Sequence, residues 1–199
     1  MKINHLLLFV VLPAFMITSC GPSSTKSDVS DSSEEYVEEE NEEEDKSKRP
    51  SPPRTTTANI SGINVTIDYS APAVKGRTVF GNLEPYGKVW RTGANEATVI
   101  TTDGDVTLNG EVLPKGQYAL FTIPGEAEWT VIFNKEPNQW GAFNYNPDLD
   151  VLKIQVTPEI NDEVTERLNF TVSSEGQISF GWEKVSFIIE VGAAAGSGS

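Results

Sequence analysis

The amino-acid sequence predicts an all-β domain, an antiparallel β-sandwich or barrel of about eight to ten short strands. Two observations carry that expectation and a third supports it. Apolar and polar residues alternate with a spacing of two, as in "INVTIDYS": Ile63, Val65, Ile67 and Tyr69 share one face, and Asn64, Thr66 and Asp68 the other. Turn-forming pairs interrupt such runs at short intervals. No stretch of this region carries a convincing helical period, and Asp162 to Arg167 is the one place where a short helix would fit.

Within the domain the elements follow in chain order. "EATVITT" reads as a strand that runs into Asp103-Gly104, and "DVTL" as a second that runs into Asn109-Gly110. Both pairs tolerate positive φ, so each predicts a tight hairpin. Pro114-Lys115-Gly116 and Pro124-Gly125 turn the chain again. "QYALFTI" sets Tyr118, Leu120 and Thr122 against Ala119, Phe121 and Ile123, and "EWTVIFN" sets Trp129, Val131 and Phe133 against Thr130 and Ile132. "DVLKIQVTP", "ERLNFTVS" and "QISFGWEKVSFIIEV" supply the last strands. The domain is expected over 58–191, long enough for a single core, with 192–199 ("GAAAGSGS") as a flexible tail.

The residues before it read as an address and a tether. Lys2 precedes an apolar run from Leu6 to Ile17, too short to span a bilayer comfortably and laid out like a secretory signal peptide. The run ends in Ile17-Thr18-Ser19-Cys20-Gly21, which resembles the bacterial lipobox. That resemblance implies that 1–20 is a lipoprotein signal and that Cys20 is lipidated, anchoring the chain to a membrane; Gly21 in place of Asp leans toward the outer membrane. Residues 21–57 are rich in Ser, Glu, Asp, Lys and Pro. They cannot bury enough apolar surface to offset their ordering entropy, so a disordered acidic and Pro-rich tether is expected, with an end-to-end distance of about 30–35 Å.

Composition narrows the chemistry. A formal net charge of −14 opposes binding to nucleic-acid phosphates. The single cysteine is Cys20 and the single histidine is His5, so the domain has no Cys/His zinc site, no disulfide and no imidazole-based catalysis. No cofactor is implied. Asp103, Asp105, Asp148 and Asp150 offer oxygen ligands, but they match no EF-hand loop, and no metal is expected.

Two clusters are the candidate sites. "NLEPYGKVWRTGANEA" brings together Tyr86, Trp90, Arg91, Asn95 and Glu96. Rings cover the apolar face of a sugar, while amide, guanidinium and carboxylate groups bind hydroxyls. The structural alternative makes Trp90 core, pairs Arg91 with Glu96 and ties Asn95 to the loop backbone. "NKEPNQWGAFNYNPDLD" carries Trp140, Phe143 and Tyr145 among amides that include Asn144, on the longest stretch without strand character. Here the alternative is a loop packed down by its own aromatics. Were both loops at one end of the sandwich, the binding reading would gain. Paired carboxylates for glycoside hydrolysis could come from Glu84, Glu96, Asp148 or Asp150, with Glu96 the first candidate.

"KGRTVFGNLEPYGKVWRTGANEAT", "LPKGQYALFTIPGEAEWTVIFNK" and "NQWGAFNYNPDLDVLKI", in that order, resemble the bacterial domain-of-unknown-function family 2911 over about Ile60 to Val191. The resemblance implies a compact, mostly β domain on an exported, often lipid-anchored chain of the kind common in Bacteroidetes. It implies no activity. The function expected from the residues is non-catalytic binding of a glycan, a cell-wall fragment or an envelope protein; the alternatives are a carboxylate-dependent glycan hydrolase and a purely structural envelope component.

Overall fold

The computed structural model describes residues 45–195, in which ten strands form two antiparallel sheets. The signal segment with Cys20, the tether up to residue 44 and the tail from residue 196 lie outside the described residues. The first sheet has the order β1-β2-β3-β6-β7-β8, with β1 Pro53–Ile60, β2 Ile63–Ser70, β3 Thr98–Thr102, β6 Gly116–Ile123, β7 Trp129–Asn134 and β8 Asp150–Val156. The second has the order β5-β4-β10-β9, with β4 Val106–Leu108, β5 Glu111–Leu113, β9 Glu159–Ser173 and β10 Gln177–Ala193. The fold is a β-sandwich, as the alternation predicts.

β1 lies largely within the segment expected as tether. Its run of β-branched threonines, Thr55 to Thr57, suits a strand, and a Ser61-Gly62 turn with φ of 53° and 90° folds it onto β2. The folded unit therefore begins before residue 58, and β10 carries it on to Ala193. Asn109-Gly110 is the expected tight hairpin, with φ of 49° and 88° between β4 and β5. Asp103-Gly104 is not. Neither residue takes a positive φ, and the chain there crosses from one sheet to the other. Asp103 instead accepts hydrogen bonds from the backbone and side-chain nitrogens of Asn64, at 2.8 and 2.6 Å.

Asp162 to Arg167 is strand rather than helix and lies within β9. β9 and β10 are long, not short. Length demands a correction in β10: Ile178, Phe180 and Trp182 face inward, and so do Val185, Phe187, Ile189 and Val191. The inward parity changes between Trp182 and Val185, where the register with β9 shifts and Glu183 takes φ 56°. A bulge there keeps both halves of the strand facing the core.

That core is aromatic. Trp90 stacks on Trp182 at 5.6 Å, Phe180 on Phe187 at 4.7 Å, and Phe80 meets Trp129 edge-on at 4.7 Å. A second, smaller cluster of Ala97, Ala119, Phe121 and Ile132 lies on the other face of the first sheet, packed by Val89, Ile123, Ala142 and Tyr145. It explains why β6 is apolar on both faces: the loops carrying the candidate residues cover its outer side.

Candidate functional site

The two predicted loops meet. Glu96 and Trp140 form an isolated antiparallel bridge, with Ala97 N–H donating to the Gln139 carbonyl at 2.9 Å and Gly141 N–H to the Asn95 carbonyl at 3.0 Å. Two backbone bonds thus make one surface of segments more than forty residues apart in sequence.

The second loop is latched at its base. Asn134 is fully buried; its amide donates to the Asn146 carbonyl at 2.9 Å and to Asp150 Oδ1 at 2.7 Å, and its oxygen accepts from Glu136 N–H at 3.1 Å. Asp150 also accepts the Tyr145 hydroxyl at 2.5 Å and pairs with Lys153 at 3.0 Å. Tyr145 packs edge-on against Phe121, and burial together with the Asp150 carboxylate pushes its phenol pKa up. Tyr145 and Asp150 therefore hold the loop, as the structural alternative supposed. Above the latch Trp140 is 55% exposed and Phe143 83% exposed, and Asn144 lies in the open between them and Tyr145.

The first loop divides. Trp90, offered as a ligand platform, is 3% exposed and belongs to the core, with its indole N–H on the Gly93 carbonyl at 3.1 Å. Tyr86 remains exposed, on a turn held by Gly87 N–H to the Pro124 carbonyl at 2.8 Å. Asn95, at φ 58°, donates to the Ser51 carbonyl at 3.0 Å. Thr92 takes φ 53°, costly for a β-branched residue, and is fixed by its carbonyl accepting from the Thr98 hydroxyl at 2.9 Å and its own hydroxyl meeting Thr122 at 3.1 Å.

The Arg91–Glu96 pair of the structural alternative does not form. Glu96 is taken by a segment the sequence reading left in the tether: Arg49 Nη1 donates to both carboxylate oxygens at 3.0 and 2.9 Å, and Lys46 adds a bridge at 3.0 Å. Arg49 also lies over the Trp140 ring, 5.6 Å from its centroid. Residues 45–51 thus form a strap across the bridge between the two loops. Burial works to raise the Glu96 pKa, but hydrogen bonds from its own backbone, Lys46 and Arg49 outweigh it and hold the carboxyl below its usual range. A carboxylate so paired is a poor proton donor at neutral pH. No sequence pattern marks Arg49 and Lys46 as partners of Glu96, because the contact spans the whole of β1 and β2.

Glu84 behaves in the opposite way. It sits half-buried in the turn before Tyr86, and desolvation lifts its pKa from 4.5 to about 7 against the opposing pull of Arg91 and Arg77. Arg91 is half-buried beside the second loop: a Cβ built on Gly141 would lie 3.5 Å from Arg91 Nη1 and 2.9 Å from the Phe143 ring. On the far side of Glu96 a groove of about 220 Å³ runs over the outer face of β1 to β3, between Lys46, Pro53, Thr55, Asp68 and Ser70. It is smaller than an ordinary small-molecule pocket of about 300–1,000 Å³. Asp105 accepts Lys115 N–H at 2.7 Å, and among the described residues no three His, Cys, Asp or Glu side chains are grouped to hold a metal ion.

Fold and site together define a two-sheet β-sandwich domain whose fused loops present aromatic and ionisable side chains. The chain belongs to the family described as Protein of unknown function (DUF2911), whose model matches residues 51–191. The match starts beside β1, in keeping with β1 as part of the domain. No curated protein and no solved structure matches the chain.

Proposed function

We propose that this domain is a non-catalytic binding module for a glycan or cell-wall fragment, carried on an exported chain of the Bacteroidetes lipoprotein type and anchored through Cys20, with Gly21 favouring the outer membrane. The observation that carries the reading is the Glu96–Trp140 bridge, which fuses the two loops and leaves Trp140 and Phe143 exposed on the second of them, with Tyr86 exposed on the first. Exposed rings on a latched loop are suited to lie against sugar faces with little ordering cost. An envelope protein remains the partner to test if glycans fail. The hydrolase reading loses its first candidate, since Glu96 is doubly paired.

The test is a thermal-shift and calorimetric screen of the full chain against neutral and acidic oligosaccharides and peptidoglycan fragments. A ligand at about a hundred times its Kd adds about 2.7 kcal/mol and raises the melting temperature by several degrees. Loss of that shift in Trp140→Ala and Phe143→Ala, with folding retained, is the expected result. Binding that survives both substitutions would refute the surface. Incorporation of labelled fatty acid, lost in Cys20→Ser, tests the anchor.

A further inference from the structure

Trp140 owes its side-chain position to a residue outside the loop that carries it. Its backbone is fixed by the bridge to Glu96. Among the described residues its ring makes one specific contact, with Arg49, and neither a hydrogen bond nor a second aromatic ring meets the indole. Tyr145, by contrast, is tied by both Phe121 and Asp150. Residues directly opposite in an antiparallel bridge carry their side chains on one face, so the Glu96 carboxylate and the Trp140 ring stand side by side. Arg49 links them. Its Nη1 spans both Glu96 oxygens at 3.0 and 2.9 Å, and its guanidinium carbon lies 5.6 Å from the ring centroid. The Arg49 side chain is only 12% exposed, whereas Trp140 is 55% exposed. The guanidinium therefore backs the inner face of the ring, and the outer face stays open.

The strap that brings Arg49 there is fastened by polar contacts. Asn95 Nδ2 donates to the Ser51 carbonyl at 3.0 Å, Arg167 Nη1 donates to the Pro50 carbonyl at 3.3 Å, and Lys46 pairs with Glu96 at 3.0 Å. Asp45 caps its short turn, accepting Ser47 N–H at 3.1 Å. None of residues 45–50 is buried. A segment with no buried anchor, held by exposed ion pairs and a few hydrogen bonds, opens locally at low cost. The strap also lies ahead of the region that the family model matches, which starts at residue 51.

We propose that Arg49 is a positioning residue of the binding surface. With the strap docked, Trp140 is held as a ready platform; with the strap lifted, the ring is free to turn and affinity falls. The inference rests on the glycan-binding reading above and adds that ligand binding is coupled to docking of the strap. A ring fixed before encounter loses less freedom on binding. The coupling is reciprocal, so a ligand on the outer face of Trp140 also holds the strap down. Two of the strap's fastenings, Arg49 and Lys46 on Glu96, are ion pairs, which salt weakens. A neutral glycan meets the ring through contacts that salt does not screen. Salt sensitivity toward a neutral ligand is therefore the mark of the strap and not of the ligand.

The experiment is titration calorimetry of the full chain with malto-, manno- and laminari-oligosaccharides, all neutral, at about 0.05 M and about 1 M NaCl. Binding that needs Trp140 is expected to weaken at least tenfold in Arg49→Ala. The parent is expected to lose at least threefold in affinity from low to high salt, and Arg49→Ala to show no such loss. Glu96→Gln takes away the anchor of Arg49 and is expected to match Arg49→Ala, with the double variant no weaker than either single one. Arg49→Lys keeps the charge but not the planar fork; it is expected to fall between parent and Arg49→Ala, and with Glu96→Gln it covers the case in which Arg49→Ala does not fold. Binding that needs Trp140 but is equal in the parent, Arg49→Ala and Glu96→Gln would overturn this inference and leave the binding module standing. Loss in Arg49→Ala with no salt response in the parent would make Arg49 a direct ligand contact and overturn its positioning role. Failure of every probe would overturn both readings.

Discussion

Replacing Glu84 with Gln should change how stability depends on pH, and the sign follows from its surroundings. With a pKa of about 7 in the folded chain against an ordinary 4.5, the native state binds more protons than the unfolded chain between those values. Stability contributed by this group therefore falls as pH rises from about 4.5 to about 7, then stays level. A shift of that size corresponds to a ceiling of about 3 kcal/mol at about 1.4 kcal/mol per pH unit, and the half-exposed setting reduces it to about 1–2 kcal/mol. Glu84→Gln removes the charge and keeps the shape, so it should be more stable than the parent by about that amount at pH 8 and nearly equal to it at pH 4.5. Urea unfolding of both proteins at half-unit pH steps, read as the difference between the two curves, cancels every other titrating group. Arg91 lowers the Glu84 pKa, so Arg91→Gln should move the transition to higher pH. A difference curve that is flat from pH 4.5 to 8 would refute the desolvated carboxyl.

Other substitutions separate scaffold from surface. Trp90→Ala should cost about 3–5 kcal/mol in chemical denaturation, as expected for a large core aromatic, so any ligand affinity lost in it reports folding. Asn134→Ala removes three hydrogen bonds from a buried position; a loss of about 2–3 kcal/mol is expected, with faster proteolysis confined to residues 135–149. Trp140 is the exposed one of the four tryptophans, so Trp140→Phe should abolish most acrylamide quenching, and Arg49→Ala should increase quenching of the parent while costing about 1 kcal/mol or less.

Much of the fold was legible in the sequence because a period of two is a local signal. Ile63, Val65, Ile67 and Tyr69 face inward as their alternation requires, and Asn109-Gly110 makes its hairpin because both residues can take positive φ. What failed was non-local. Asp103-Gly104 has the same local chemistry, but the demand to change sheets and the bonds to Asn64 outweigh it. β1 escaped notice because threonines beside an acidic, Pro-rich run look like linker until a partner strand is known. Trp90 and Tyr86 are four residues apart in one loop; which of them is covered depends on Trp182, far along the chain.

The two candidate carboxyls show why residue type alone does not give their chemistry. Glu96 and Glu84 lie in one stretch, each with arginine in reach, and nothing in their local sequence ranks them. The fold brings Arg49 and Lys46 back over Glu96 and closes its bonding. It holds Arg91 against Gly141 and Phe143, leaving Glu84 and Arg91 within electrostatic range and unbonded. A closed pair such as Glu96 with Arg49 and Lys46 braces a loop, and Arg91, half-buried with its Nε unbonded, contributes no such brace. Residue type alone marks Glu96 as a free carboxylate, and only the fold shows it spent on Arg49 and Lys46.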